Sequence, residues 1–201
     1  MKIIWHGHSC FEVVTREGSV VLDPYGDNTV PGYGPLSLKA DMALCTHEHG
    51  DHNNRAGVTL SGADCGVTVE MIASYHDEAQ GTKRGRNIIY VLSAEDMRVA
   101  HLGDLGCELN DAQIVRLKGV DVLMIPIGGF YTIDTEQALE IVAQLEPRIT
   151  IPMHYRDESH GFDVISTAEA FRKGCSNPVD YTAELVVDGA TQPQTAFLKP
   201  M

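Results

Sequence analysis

The sequence is poor in positive charge: 15 Lys and Arg stand against 28 Asp and Glu, a formal net charge of −13. A surface of that sign repels phosphate backbones, so nucleic acid is not an expected partner. It has no C-x-x-C pair, and its five cysteines (Cys10, Cys45, Cys65, Cys107, Cys175) are odd in number and scattered. That excludes a disulfide framework and fits free thiols in a reducing compartment. No apolar run is long enough to span a membrane, and the opening MKIIWHGHSCFEV lacks the apolar core of a signal peptide. The expectation is a cytoplasmic protein without membrane insertion. Linkers, low-complexity tracts and solenoid repeats are also missing. The 201 residues are enough for one domain, 1–201, with a well-buried core.

What is present reads first as strands and later as a β-α alternation. Ile3–Trp5, Cys10–Thr15 and Ser19–Leu22 are expected strands, the last two joined by a hairpin turn at Arg16-Glu17-Gly18. Met42–Cys45, Gly66–Ala73, Asn87–Ser93 and Met97–Leu102 follow as strands. Beyond them, Asp111–Leu117 is an expected helix capped by Asn110, and Val120–Pro126 a buried strand. In Thr135–Leu145, capped by Asp134, residues Ala138, Leu139, Ile141, Val142 and Leu145 form one helical stripe. Ile149–Met153 is another strand, Ser166–Lys173 a helix and Glu184–Asp188 a last strand. The pattern is α/β (α+β), with sheets packed on each other and helices outside.

One stretch stands apart. Cys45 to His52, CTHEHGDH, holds three histidines, a glutamate and an aspartate in eight positions. In an extended segment His47 and His49 point the same way, and Gly50 lets the chain turn so that Asp51 and His52 come round to the other side. Imidazole and carboxylate suit zinc and other divalent transition metals. One ion could not easily take four ligands from so short a loop, and two adjacent ions fit better. The alternative is a polar loop of solvated histidines. Further donors stand at or near the ends of expected strands: His76, His101 and Asp104, and His154. Strand ends converge at a sheet edge, where loops can shape a pocket.

The His47, His49, Asp51, His52 cluster resembles the metal motif of the metallo-β-lactamase superfamily. Gly7-His8-Ser9-Cys10-Phe11, Leu22-Asp23-Pro24, His101-Leu102-Gly103-Asp104, Pro126-Ile127-Gly128-Gly129 and Ile151-Pro152-Met153-His154-Tyr155 extend the likeness over nearly the whole chain. They are most similar to the branch of ascorbate-6-phosphate lactonases and N-acylphosphatidylethanolamine phospholipase D. The resemblance implies a four-layer αββα sandwich and two divalent metal ions, zinc first, with manganese, iron, cobalt or nickel also accommodated. It implies one position held by His47, His49 and His76, a second by Asp51, His52 and His154, and Asp104 bridging them. His101 is the ambiguous donor: it could replace His76, but a place inside a strand favours a supporting role. His8 and Asp23 match positions near the metals and are expected to orient the ligands from behind. His6 and His160 read as structural. The redox branch carries glutamate in place of the second histidine, so His49 favours hydrolysis, and Glu48 points away.

The implied activity is hydrolysis of a small, anionic ester, lactone or phosphodiester by a metal-activated hydroxide that Asp51 orients. A metal-binding sensor without turnover and a nuclease are the alternatives; the charge opposes the second. Lys83, Arg84 and Arg86 form a basic turn that could attract the substrate's anionic group, or could be a solvated hairpin turn. Tyr131, after the Gly128-Gly129 pair, and Tyr155 are further candidate pocket residues. No residue stands out as the acid for the leaving group; His101 and Tyr155 are the candidates. Penicillin turnover is not expected from the family name alone.

Overall fold

The computed structural model describes residues 1–201. The strands, in chain order, are β1 (Lys2–Gly7), β2 (Cys10–Val14), β3 (Ser19–Leu22), β4 (Leu38–Ala40), β5 (Met42–Leu44), β6 (Val58–Leu60), β7 (Thr68–Tyr75), β8 (Arg86–Ala94) and β9 (Met97–His101). Helix α1 (Asp111–Leu117), β10 (Val122–Pro126), α2 (Thr135–Leu145), β11 (Ile149–Met153), α3 (Glu169–Gly174), β12 (Pro178–Asp180), β13 (Glu184–Val186) and β14 (Gln194–Phe197) complete the chain. They build a five-stranded sheet, β13-β1-β2-β3-β5, a seven-stranded sheet, β12-β14-β11-β10-β9-β8-β7, and a small pair, β4-β6.

Alternation along the strands makes the core. Ile3 and Trp5, Phe11 and Val13, Val20 and Leu22 all face one side of the first sheet. They pack against Leu92, Val99, Met124 and Ile151 from the second sheet. β10 and β11 run parallel in the centre and are buried along their whole length, hence sequences that are apolar throughout but for Thr150. The other face of the seven-stranded sheet takes the helices. Ala138, Ile141 and Leu145 of α2 and Leu117 of α1 close a second core with Ile89, Leu123 and Ile125. Both helices begin with full capping boxes, Asn110 with Gln113 and Asp134 with Gln137.

The outer layer on the five-stranded side is different in kind. No α-helix covers it; Tyr25, Val30, Ala40 and Val58, from loops and the β4-β6 pair, pack onto Cys10 and Val21. β7 is the free edge of the larger sheet, and its outward carbonyls are closed by neighbours. Arg116 Nη2 donates to Met71 O at 3.1 Å, Gln113 Nε2 to Ala73 O at 2.7 Å and Gly106 N to Tyr75 O at 3.0 Å.

The expected helix at Ser166–Lys173 is shorter and later, Glu169–Gly174, because its start has no side-chain cap. β4, β6, β12 and β14 are additions to the expected strands; each has only three or four residues. Strand direction fixes where the chemistry sits. β1, β3 and β5 run one way in their sheet, and β7, β9, β10 and β11 run one way in theirs. The two sets of C-terminal ends meet: His154 N, after β11, donates to His8 O, after β1, at 3.2 Å.

Candidate metal centre

Six strand ends deliver the donors. His8 follows β1, Asp23 follows β3, the 45–52 loop follows β5, His76 follows β7, Asp104 lies just past β9 and His154 follows β11. His8, Asp23 and His154 take left-handed backbone, with φ of 52°, 46° and 52°. Such a cluster of uncommon conformations marks a place where the surroundings over-determine the backbone. The 45–52 loop is bent rather than extended, and His52 N closes a turn on His49 O at 3.0 Å. The His47 and His49 rings still lie 4.7 Å apart. Gly50 has no left-handed φ, so the turn does not depend on glycine freedom.

Asp104 is the hub. One carboxylate oxygen lies 3.2 Å from His76 Nε2, 3.3 Å from His154 Nε2 and 3.9 Å from His47 Nε2, and the other lies 3.2 Å from His52 Nε2. Around it stand two sets of donors, His47 with His49 and His76, and His8 with Asp51, His52 and His154, each set within 4.8 Å. His47 Nε2, His52 Nε2 and Asp104 Oδ1 are buried and have no hydrogen-bond partner. Buried polar atoms are almost always paired, so these orphans fit a group that bonds to lone pairs. Nitrogen and carboxylate donors are what a divalent transition metal takes.

Asp23 governs the ring tautomers from behind. Its carboxylate accepts from Thr46 N (2.7 Å), Thr46 Oγ1 (2.7 Å) and His52 Nδ1 (2.8 Å). The Thr46 hydroxyl, having given its proton to Asp23, accepts from His47 Nδ1 at 3.0 Å. With both Nδ1 atoms protonated, both Nε2 lone pairs face the centre. Without a metal the charges are strongly coupled. Burial alone would push the His52 imidazole down, but the Asp104 and Asp23 carboxylates together hold it well above its ordinary value. Burial would raise Asp104, but His154 and His52 hold it well below the usual carboxylate range.

A scan against family models matches residues 2–154 to the Beta-lactamase superfamily domain. A UPF0173 metal-dependent hydrolase of Thermoplasma acidophilum is 32% identical over 198 residues, 82% of this chain and 86% of the relative. Another from Enterococcus faecalis is 32% identical over 193 residues, 77% of this chain and 86% of the relative. The chain belongs to the metallo-β-lactamase superfamily. A structure from Thermotoga maritima, described as a candidate zinc-dependent hydrolase of that superfamily, superposes with TM-score 0.75 at 28% identity. It covers 98% of this chain and 97% of its own. The chain is thus a metal-dependent hydrolase with the metallo-β-lactamase fold.

The structure redistributes some expected roles on this superfamily frame. His8 is not behind the ligands: fully buried, it has its Nε2 3.5 Å from Asp51 Oδ2 and its ring 4.2 Å from His154. His101 is behind them. Its Nδ1 accepts from Gly103 N at 3.1 Å and its Nε2 donates to Ser9 O at 2.9 Å, so no lone pair remains for a metal. Tyr155 does not reach the pocket; its ring packs 5.5 Å from Trp5 in the core. His101 and Tyr155 are therefore both out of place as acids for the leaving group. Lys83 pairs with Glu78 and turns away. Glu48 is exposed and engages Asn53 and Arg55. His6 faces Glu12 at 3.3 Å, and His160 stacks on Tyr33 at 4.7 Å.

Arg84 and Tyr131 do come together. With Phe162 they wall a cavity of about 480 Å³ whose floor includes His49, Asp51, His76 and Asp104. The Arg84 guanidinium lies 5.7 Å from the Tyr131 ring centroid and has no carboxylate partner. Arg86 lies across His49 in an adjoining groove of about 730 Å³, which Arg84 also borders. Three positioning residues escaped the sequence reading. Thr46 relays Asp23 to His47. Asn87, fully inside, accepts from Asp104 N at 3.1 Å and donates to Leu102 O at 2.9 Å. Asp77 accepts from the backbone of Ala79, Gly81, Lys83 and Arg84 at 2.7–3.1 Å, shaping the turn that presents Arg84. Short polar side chains after a strand, as in Ser74-Tyr75-His76-Asp77, were the available signal.

Proposed function

We propose that the protein hydrolyses a small anionic ester, lactone or phosphodiester at a binuclear metal site. The observation that supports it most is the buried Asp104 carboxylate, with donors from both sets on its two oxygens and unpartnered lone pairs aimed between them. His47, His49 and His76 would hold one ion, Asp51, His52 and His154 the other, with Asp104 shared. Zinc fits this donor set, as do manganese, iron, cobalt and nickel. Bound divalent ions would supply a water of lowered pKa and a Lewis acid for the oxygen under attack.

The chain's own residues do the rest. Asp51 is kept ionised: burial opposes this, but His8 and His52 beside it hold its carboxyl well below the usual range. An ionised carboxylate on the cavity wall accepts a hydrogen bond from the attacking water or hydroxide and fixes its orientation toward substrate. Arg84 supplies a free cation for the anionic group, and Tyr131 and Phe162 supply flat apolar walls that exclude bulk water. The cavity is too small for a folded nucleic acid, and the net charge of −13 opposes one. Five free cysteines suit a cytoplasmic setting, and no helix is long and apolar enough to cross a membrane.

The test is a hydrolysis screen of the metal-loaded protein across phosphodiesters, lactones, thioesters and β-lactams. Turnover is expected in the first two classes, with KM raised for the phosphorylated member by Arg84→Ala. Tight metal binding with no turnover in any class would replace the hydrolase reading with a sensor.

A further inference from the structure

We infer that His8 is itself a metal ligand, so that the two metal positions are unequal: one closed by His8, Asp51, His52 and His154, the other left open at the exposed His49. This rests on the binuclear reading above and deepens it.

The geometry carries the inference. His8 has no exposed surface, and neither ring nitrogen has a hydrogen-bond partner. A fully buried imidazole without a partner is rare, because leaving such a group unpaired is costly. The carboxylate facing it is Asp51 Oδ2 at 3.5 Å, beyond the ordinary N–H···O range. Two neighbouring donors on one divalent ion, each about 2.0–2.1 Å from it, lie roughly 2.9–3.6 Å apart. The His8–Asp51 separation of 3.5 Å falls within that range, and the His52–Asp51 separation of 3.8 Å is just beyond it. The true hydrogen bonds of the site, such as His52 to Asp23, are 2.8 Å.

His8 is placed by its backbone and by packing. Its φ of 52° swings the side chain off the end of β1 toward the seven-stranded sheet. There its ring packs 4.2 Å from His154 and 5.7 Å from Phe162. Trp5 Nε1 donates to His8 O at 3.0 Å, and His154 N donates to the same oxygen at 3.2 Å, clamping the residue from both sheets. With Asp104 shared, five donors against four, and burial against exposure, mean that the inner ion is retained and the outer one exchanges.

The experiment uses the 201-residue chain loaded with cobalt or zinc, and His8→Asn, which tolerates the left-handed backbone but removes the imidazole. Elemental analysis after stepwise chelation counts ions, and X-ray absorption counts imidazoles per ion. Wild type is expected to release one equivalent early and keep the other. His8→Asn is expected to bind the inner ion more than about a hundredfold more weakly, beyond the 10–100-fold typical of a residue that only orients a ligand. The imidazole count should fall by one per chain. Two retained ions with an unchanged count in His8→Asn would overturn the ligand role and leave the binuclear reading standing. Fewer than two ions in wild type before chelation would overturn both. If the variant misfolds, a metal-soaked crystal of wild type decides: a His8 nitrogen within about 2.0–2.1 Å of an ion is expected, and one beyond bonding distance refutes it.

Discussion

Replacing Asp23 by asparagine is the sharpest test of how the site is oriented. Asparagine keeps the volume and tolerates the φ of 46°, so the backbone need not move. The change lies in hydrogen-bond polarity. Asp23 accepts three times, at 2.7, 2.7 and 2.8 Å, and donates nothing. An amide has one oxygen for these donors and an NH₂ group that must face the rest. If the NH₂ faces His52, that ring must protonate Nε2 and lose its inward lone pair. If it faces Thr46 N, two buried N–H groups collide. The second arrangement leaves a buried donor unpaired, costing about 1–3 kcal/mol of folding stability, and the first puts a proton where the metal would bind. Metal affinity should fall by about 10–100-fold, or roughly 1.4–2.7 kcal/mol, as expected for an outer partner of ligating histidines. Because His52 and, through Thr46, His47 both depend on Asp23, both equivalents should weaken. Chelator competition measures this. Affinities within twofold of wild type, with the fold intact, would refute the orienting role.

Asp104→Ala should remove most bound metal and all hydrolysis; elemental analysis showing unchanged metal would sink the shared-ligand role. Arg84→Ala should raise KM for a phosphorylated substrate about tenfold, roughly the 1.4 kcal/mol of one charge-assisted contact, with metal content unchanged. Asp77→Ala should have a similar effect, since it frees the turn that holds Arg84; kinetics identical to wild type would dissociate the turn from the pocket. Acid should destabilise the metal-free protein. Burial, then the neighbouring His154, pushes His8 down to about 4, and burial, then His52, pushes His47 down to about 3. The unfolded chain takes those protons up near the ordinary 6.5. The stability present above pH 6.5 is therefore lost as pH falls toward the folded values, at up to about 1.4 kcal/mol per unit for each group, while His52, held above its ordinary value, acts the other way and offsets the loss of one group. Calorimetry of the chelated protein should show Tm falling by several degrees between pH 7 and 5, and a flat profile would contradict it.

The long elements were legible because their patterns are strong. The caps Asn110 and Asp134 set the starts of α1 and α2, both helices have the expected bounds, and Ser19–Leu22 and Ile149–Met153 appear as read. The strands that escaped, β4, β6, β12 and β14, have only three or four residues, and two of them sit at a proline: β12 opens on Pro178 and β14 follows Pro193. Local pattern is weak there, and pairing partners decide. At the site, residue type and strand-end position marked the stretches that hold the donors, and the superfamily resemblance picked His47, His49, Asp51, His52, His76, Asp104 and His154 from them. Depth was not legible. Whether His8 or His101 faces the centre depends on how β1 and β9 sit against the other sheet, and no local pattern records that. Tyr155 shows the same limit: one residue past a donor, it turns to Trp5 instead of the cavity.

The measurement that bears most directly on the centre is the metal count of the reconstituted wild-type protein, taken by elemental analysis at equilibrium with a buffered, saturating concentration of the free metal. Two divalent ions per chain are expected, both dependent on Asp104. One ion per chain, or two that survive Asp104→Ala, would contradict a binuclear site built on that carboxylate.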